Sequence, residues 1–352
     1  MNPRTARSRA ADTPRALGFR LPAEWEPHEA TWIAWPHNRS DWPGRFAPIP
    51  WVYAEIVRQL SRVERVRILV QNEALRRQAC RILRQTGAVM EAIEFFECPT
   101  DRVWVRDYGP LFLKNRRGEL ALAAWRFNAW AKYDDWQRDA AATSYICRRS
   151  KLPVWTPGMV LEGGSIDSNG AGLVLTTEEC LLSPVQARNP GVGREAVERA
   201  LRDYLGADRV LWLRNGIAGD DTHGHVDDIA RFVSRDTVAA AWEDDPADAN
   251  HQPLRENFRL LRAAGLRVLK LPMPRPLYFA GRRLPASYAN FYIANRLVVV
   301  PTFNDPRDRL ALSVLAKLFP DREVIGINCT ELIWGLGALH CMTQQQPAAN
   351  QI

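Results

Sequence analysis

Apolar positions along the chain fall repeatedly into the spacing of one helical face. Leu75, Ala79, Ile82 and Leu83 share such a face, and Gly87 ends it. A short apolar run follows over residues 93–96. Residues 137–147 read as a weaker helix, followed by the strand-like Leu152-Pro153-Val154-Trp155. Val197, Leu201, Tyr204 and Leu205 form a third face, ended by Gly206 ahead of a strand at 210–213. Leu254, Phe258 and Leu261 form a fourth, with Gly265 as its stop and a strand at 268–271. Leu310, Val314, Leu315 and Leu318 form a fifth, stopped near Pro320 ahead of 324–327. The stops recur at intervals of about sixty residues, which predicts five copies of one helix-then-strand unit. Many α/β chains alternate loosely, but radial repetition is how propellers avoid open sheet edges. In such a ring, equivalent points of successive units converge near the axis.

Composition narrows the class. The chain has 352 residues, of which 46% are hydrophobic and 25% charged, as in an ordinary globular protein. No apolar run has the length of a membrane span. The net charge is +7, yet arginine is scattered without a dense basic block, so solvated surface explains it better than nucleic acid. The six cysteines include no C-x-x-C pair, so neither a zinc site nor a redox motif is indicated. Residues 1–15 are rich in Arg, Ala, Pro and Thr and lack the apolar core of a signal peptide. They are expected to be a disordered basic arm, with residues 16–352 a single catalytic domain in a reducing cytoplasm. The oligomeric state is left open, a homo-oligomer included.

Unusual polar motifs follow the helix stops. Cys341 sits between Gly335-Leu336-Gly337 and Thr343-Gln344-Gln345-Gln346. A core cysteine would not precede four polar residues, so Cys341 is the candidate nucleophile. His225 and Asp227 are two apart, which on a strand puts both on one face. His225 suits acid/base work near neutral pH. His223, His225 and Asp227 also resemble a metal cluster, but His28, His37, His251 and His340 supply no further ligand pair, so no metal is expected. Asp107 lies in Trp104-Val105-Arg106-Asp107-Tyr108-Gly109-Pro110, where Arg106 could simply neutralise it. Glu162 precedes two glycines. Two or three carboxylates, one histidine and one cysteine suit an electrophilic, cationic carbon: carboxylates grip a planar guanidinium, a thiolate attacks it, and histidine moves the proton.

The sequence resembles the agmatine deiminase family, within the guanidino-modifying pentein superfamily that includes bacterial-type peptidylarginine deiminases. The resemblance is carried by Pro22-Ala23-Glu24-Trp25, Thr31-Trp32-Ile33-Ala34-Trp35-Pro36, the Asp107 motif, Phe127-Asn128-Ala129-Trp130, Glu162-Gly163-Gly164, Gly224-His225-Val226-Asp227, Ser287-Tyr288-Ala289-Asn290-Phe291-Tyr292 and His340-Cys341-Met342-Thr343. It implies an α/β fold, a five-bladed pseudo-symmetric propeller of ββαβ units. It implies Cys341 as nucleophile, His225 as acid/base, Asp107 and Asp227 as guanidinium carboxylates, and Glu162 as the acid that orients the histidine. Trp104 and Asn290 join Asp107 and Asp227 as expected substrate-binding residues. The implied reaction is cofactor-free hydrolysis of a small guanidine, agmatine to N-carbamoylputrescine and ammonia, within putrescine and polyamine metabolism. Rival readings are deimination of a guanidino-polyamine or peptidylarginine, amidino transfer, and a non-catalytic binding protein on the same fold. Leu336, Ala338 and His223 depart from the family pattern and leave the substrate's tail open.

Overall fold

The computed structural model describes residues 13–349, so residues 1–12 of the expected arm lie outside it. Within the described part of that arm, Arg15 opens a short 3-10 turn and pairs with Asp208 at 2.8 Å.

The fold is α/β; among the described residues five small sheets share one plan, and a sixth is a two-stranded hairpin of Tyr278–Phe279 and Arg282–Arg283. In four of the five an antiparallel pair is followed by a helix and a third strand parallel to the second. These are Leu111–Lys114, Leu120–Ala123 and Val154–Trp155; Asp167–Ser168, Leu173–Thr177 and Arg209–Leu213; Ala230–Phe232, Thr237–Trp242 and Arg267–Pro272; and Tyr292–Ala294, Leu297–Thr302 and Glu323–Asn328. The fifth sheet joins distant parts of the chain. Gln344–Pro347 runs antiparallel to His28–Ala34, which pairs parallel with Arg65–Val70. A further strand, Ile93–Glu97, extends this sheet. Middle strands such as Thr237–Trp242 are buried along their whole length, as expected when both faces are covered.

The predicted helices appear at Glu73–Thr86, Gln137–Ser150, Arg194–Leu205, His251–Ala263 and Asp308–Leu318. Gly87 and Gly206 end theirs in the left-handed conformation that glycine takes most easily. Two details differ from the sequence pattern. The first predicted helix and strand are the extension of the fifth sheet; the helix equivalent to the other four is Ile49–Leu60. Its prolines mimic a break, yet they occupy the first helical turn, where the missing N–H costs nothing. Leu310 also faces solvent at 54% exposure, and Ala311 takes the inward place. No helix among the described residues is long and apolar enough to cross a membrane.

Several of these units meet on one buried carboxylate. Glu24 is 5% exposed and lies 2.9 Å from Arg231 Nη2. It also lies 2.8 Å from His340 Nε2 and 3.5 Å from Arg106 Nη2, and it accepts from Ile293 N at 2.8 Å. Arg231 in turn donates to the Phe291 carbonyl and lies 3.5 Å from Asp167. Burial opposes the charge on Glu24, but Arg231, His340 and Arg106 outweigh it and hold the carboxyl well below its usual range. A carboxyl depressed on folding adds stability above its unfolded pKa, and this is lost only as pH falls through the lower folded value. Glu24→Gln, which leaves Arg231 with the more distant Asp167, is expected to cost about 3 kcal/mol near neutral pH. The check is a lower urea midpoint at unchanged slope, with the gap from wild type closing at strongly acid pH.

Candidate active site

Every expected site residue stands in the short connection ahead of the first strand of a unit. Asp107 is in the helical turn Val105–Tyr108, before Leu111–Lys114. Glu162 precedes the turn Gly163–Ser165, before Asp167–Ser168. His225 and Asp227 flank Val226 in a turn before Ala230–Phe232. Asn290 comes just before Tyr292–Ala294, and Cys341 before Gln344–Pro347. One position in the repeated plan therefore supplies a group from each of five units.

These groups converge. His225 is fully buried; its Nδ1 lies 3.8 Å from Asp107 Oδ1 and 4.0 Å from Asp227 Oδ1, and its Nε2 lies 3.7 Å from Glu162 Oε2. Cys341 Sγ is 3.7 Å from Asp227 Oδ2 and 3.1 Å from Asn290 Nδ2. Both ring nitrogens of His225, Asp227 Oδ1 and Glu162 Oε2 lack a hydrogen-bond partner, although all are buried. Buried polar atoms are nearly always satisfied, so this concentration marks a place prepared for a polar ligand. A cavity of about 390 Å³ leads here, lined by Trp104, Trp130, Asp107, Leu336 and Cys341 among others.

The glycines explain themselves by contact. A Cβ on Gly164 would lie 2.6 Å from His225 Nδ1 and 2.8 Å from Asp107 Oδ1. The bare Gly164 backbone instead donates to Asp107 at 3.0 Å. Gly337 packs on the ring of Trp104, where a Cβ would meet it at 2.8 Å. Leu336 holds the left-handed conformation at φ 69°, unusual for a branched side chain, and it lines the cavity.

Crowded negative charge sets the electrostatics. Burial raises the Asp107 carboxyl to about 6; His225 pulls it down while Asp227 and Glu162 push it up. Burial also disfavours charge on His225, but Asp107, Cys180 and Glu162 raise its pKa well above the histidine range. Asp227 stays below the usual range despite burial, chiefly through its bond with His340. Burial, and then Asp227, Asp228 and Asp107, push the Cys341 thiol well above its usual value. Burial opposes ionisation of Glu162, yet Arg188 at 3.0 Å brings it to about 2.

Several expectations change in detail. His225 and Asp227 meet through a tight turn rather than along a strand. His223 turns away to Ser183, so the three-residue metal cluster does not form. Glu162, Cys180 and His225 are spaced to hold a metal ion, but Arg188 already occupies Glu162 with a positive charge. Arg106 does not neutralise Asp107; it bonds Gln345 at 2.7 Å and the His340 carbonyl. Asn290 directs its side chain to the Cys341 turn, with its oxygen accepting from His340 N and its amide meeting Asp228. Trp104 lines the cavity beside Trp42.

Other neighbours escaped the sequence reading. His340 bridges Glu24 and Asp227, the latter at 2.7 Å. Trp130 donates its indole N–H to Asp107 at 2.9 Å from three successive left-handed residues, Ala129 to Ala131. Such strain persists where surrounding structure enforces it, often at active sites. The only early signal for either was its place inside a family motif.

Comparison with known proteins follows the same lines. Residues 20–347 match the family of Porphyromonas-type peptidyl-arginine deiminases. The chain is 37% identical to an agmatine deiminase of Pseudomonas aeruginosa, over 97% of this chain and 99% of that one. Among solved structures, agmatine deiminase of Enterococcus faecalis superposes with a TM-score of 0.88 at 33% identity, covering 97% of this chain and 100% of that one. C. jejuni agmatine deiminase with substrate bound gives 0.87 at 31% identity, covering 95% and 97%.

Gly164→Ala is expected to force Asp107 and His225 apart while leaving the fold intact. Misplacement on this scale costs on the order of a hundredfold in kcat. Turnover measured beside an unchanged thermal melt checks it.

Proposed function

The chain belongs to the Porphyromonas-type peptidyl-arginine deiminase family, and from that premise we propose that it hydrolyses agmatine to N-carbamoylputrescine and ammonia. The observation that carries this reading is the unpartnered Asp227 oxygen and the Asp107 carboxylate facing the Cys341 thiol at the end of a cavity. A planar guanidinium has donors for several such acceptors at once. The agmatine deiminases that this chain resembles over nearly its whole length support the same substrate.

In the proposed reaction Asp107 and Asp227 hold the guanidinium. Its positive charge offsets the carboxylates that keep the Cys341 thiol protonated, so as substrate binds the thiol releases its proton to solvent and the thiolate forms. The thiolate attacks the central carbon. His225, kept protonated by the acids around it, gives its proton to the departing nitrogen, which leaves as ammonia. A thiouronium adduct remains on Cys341. Neutral His225 then takes a proton from water and the hydroxide adds to the adduct carbon; the C–S bond breaks to regenerate the thiolate, and the hydroxyl proton passes to solvent as the ureido product leaves. Glu162, fixed by Arg188, orients His225. Trp104 and Trp130 wall the substrate.

The same reading takes the five sheets as blades around one axis. Support comes from their common plan and from the site groups standing at equivalent positions. It also takes residues 16–352 as one catalytic domain. The cysteines, all free, fit a reducing cytoplasm.

Cys341→Ala is expected to abolish ammonia release, whereas Cys80→Ala, half-exposed on a helix, leaves it unchanged. Agmatine should exceed L-arginine in kcat/KM by on the order of a hundredfold, because a buried carboxylate without a partner is strongly disfavoured, and it should also exceed an arginine peptide. If arginine or the peptide turns over best, the agmatine assignment fails although the chemistry stands. With Asp107 near 6, its carboxylate form fills as pH rises, so kcat/KM should climb through about pH 6 in a pH–rate profile.

A further inference from the structure

Apart from the cavity that ends at Cys341, a second one of about 730 Å³ is lined by residues of the helix Gln137–Ser150, of 124–128 and of 188–192. The two share no lining residue. Small-molecule sites span roughly 300–1,000 Å³, so this one has room for a ligand of that class. Its charged lining is wholly positive: Arg126, Arg148 and Arg188 belong to it, and no carboxylate does. Arg188 is already engaged. Its Nε holds Glu162 at 3.0 Å, and its outer nitrogens donate to the carbonyls of Gln186 and Thr222. Arg126 and Arg148 are exposed, and neither forms an ion pair among the described residues. Neighbouring arginines elsewhere share an acid: Arg65 and Arg67 share Glu94, and Arg194 and Arg214 share Glu178.

Two like charges on one concave surface raise its potential and draw a counter-charge. Trp125 adds a donor of its own. It lines the cavity at 7% exposure, and its indole N–H has no acceptor among the described residues. Buried donors are nearly always paired, so a wall that leaves one open is short of an acceptor. Beside these groups Trp136, Val154 and Val192 supply apolar surface. We propose that this cavity is a second binding site, for a small organic dianion whose oxyanion head meets Arg126 and Arg148 and whose ring lies against the tryptophans. A guanidinium fork suits phosphate and carboxylate oxygens alike, so the head may be either one, and two cations match its two charges. The site is independent of the deiminase reading and stands or falls without it.

Four probes separate head from body. Phenyl phosphate carries a dianion and a ring, phthalate carries a ring with two carboxylates, inorganic phosphate is the head alone, and phenol is the ring alone. Each is titrated calorimetrically into the full wild-type chain at about pH 8, where a phosphate monoester is doubly charged. Phenyl phosphate or phthalate is expected to fill one site on the order of tenfold more tightly than inorganic phosphate or phenol, and the better of the two identifies the head. Arg126→Ala/Arg148→Ala is expected to weaken that ligand on the order of tenfold with an unchanged thermal melt. Arg81→Ala/Arg84→Ala, which removes two exposed arginines from the helix Glu73–Thr86, is expected to leave it unchanged. Equal weakening by both double variants would reduce the effect to bulk charge and overturn the proposal. So would full affinity in Arg126→Ala/Arg148→Ala, inorganic phosphate binding as tightly as the ring-bearing dianions, or no saturable binding by any probe.

Discussion

Glu24 is the contact on which the site's geometry depends. Its carboxylate draws together Arg231, Arg106 and His340 from separate parts of the chain, and all are buried. His340 passes the constraint on, because its other nitrogen holds Asp227. Asp227 is therefore ionised and fixed although fully buried, and it lies within reach of the Cys341 sulfur. Such an arrangement stabilises little by itself, since taking these charges out of water costs nearly what their attraction returns. Its value is position. A carboxylate tied this way cannot relax toward an incoming ligand, so ligand binding must adapt to it.

Around that fixed point the site concentrates more negative charge than it can stabilise alone. Asp107 sits near 6, Asp228 well above its usual range, and the thiol of Cys341 higher than ordinary. Burial is the first cause of each, and mutual repulsion among carboxylates adds to it. Glu162 escapes because Arg188 balances it. The imbalance is local, and His225, although its pKa is raised, offsets only part of it. A guanidinium corrects it, which is a stronger argument for a cationic substrate than the overall charge of the chain, which is itself positive.

Much of the fold was legible because apolar faces of helices repeat at fixed spacing, and the glycines that end them leave a visible mark. Ile49–Leu60 was not legible, since Pro48 and Pro50 resemble a loop until their place at a helix start is known. Leu310 misled for a different reason: periodicity gives a face to within one residue, and Ala311 was the one that packed inward. Site residues with reactive side chains, Cys341, His225, Asp107, Asp227 and Glu162, stood out by type and setting. His340 and Trp130 did not. Their importance comes from partners far away in sequence, such as Asp227 for His340, 113 positions distant. No local pattern encodes such a pairing. Arg106 shows the reverse error, where adjacency to Asp107 suggested a pair that the short helix turns apart.

The pairing of Gln344–Pro347 with His28–Ala34 has a kinetic meaning. Trp32 and Gln346, bonded across it, are 314 positions apart. A contact of such high sequence separation closes a very long loop, and it forms late because its ordering cost precedes its gain. Cys341 lies immediately before that last strand and follows every other reactive group in order of synthesis. The other four units can each pair their own strands as they emerge, while the thiol reaches its carboxylates only once the final strand docks. Assembly of the reactive centre and completion of the fifth sheet are thus a single event, so a chain caught before it would hold folded units without a working centre.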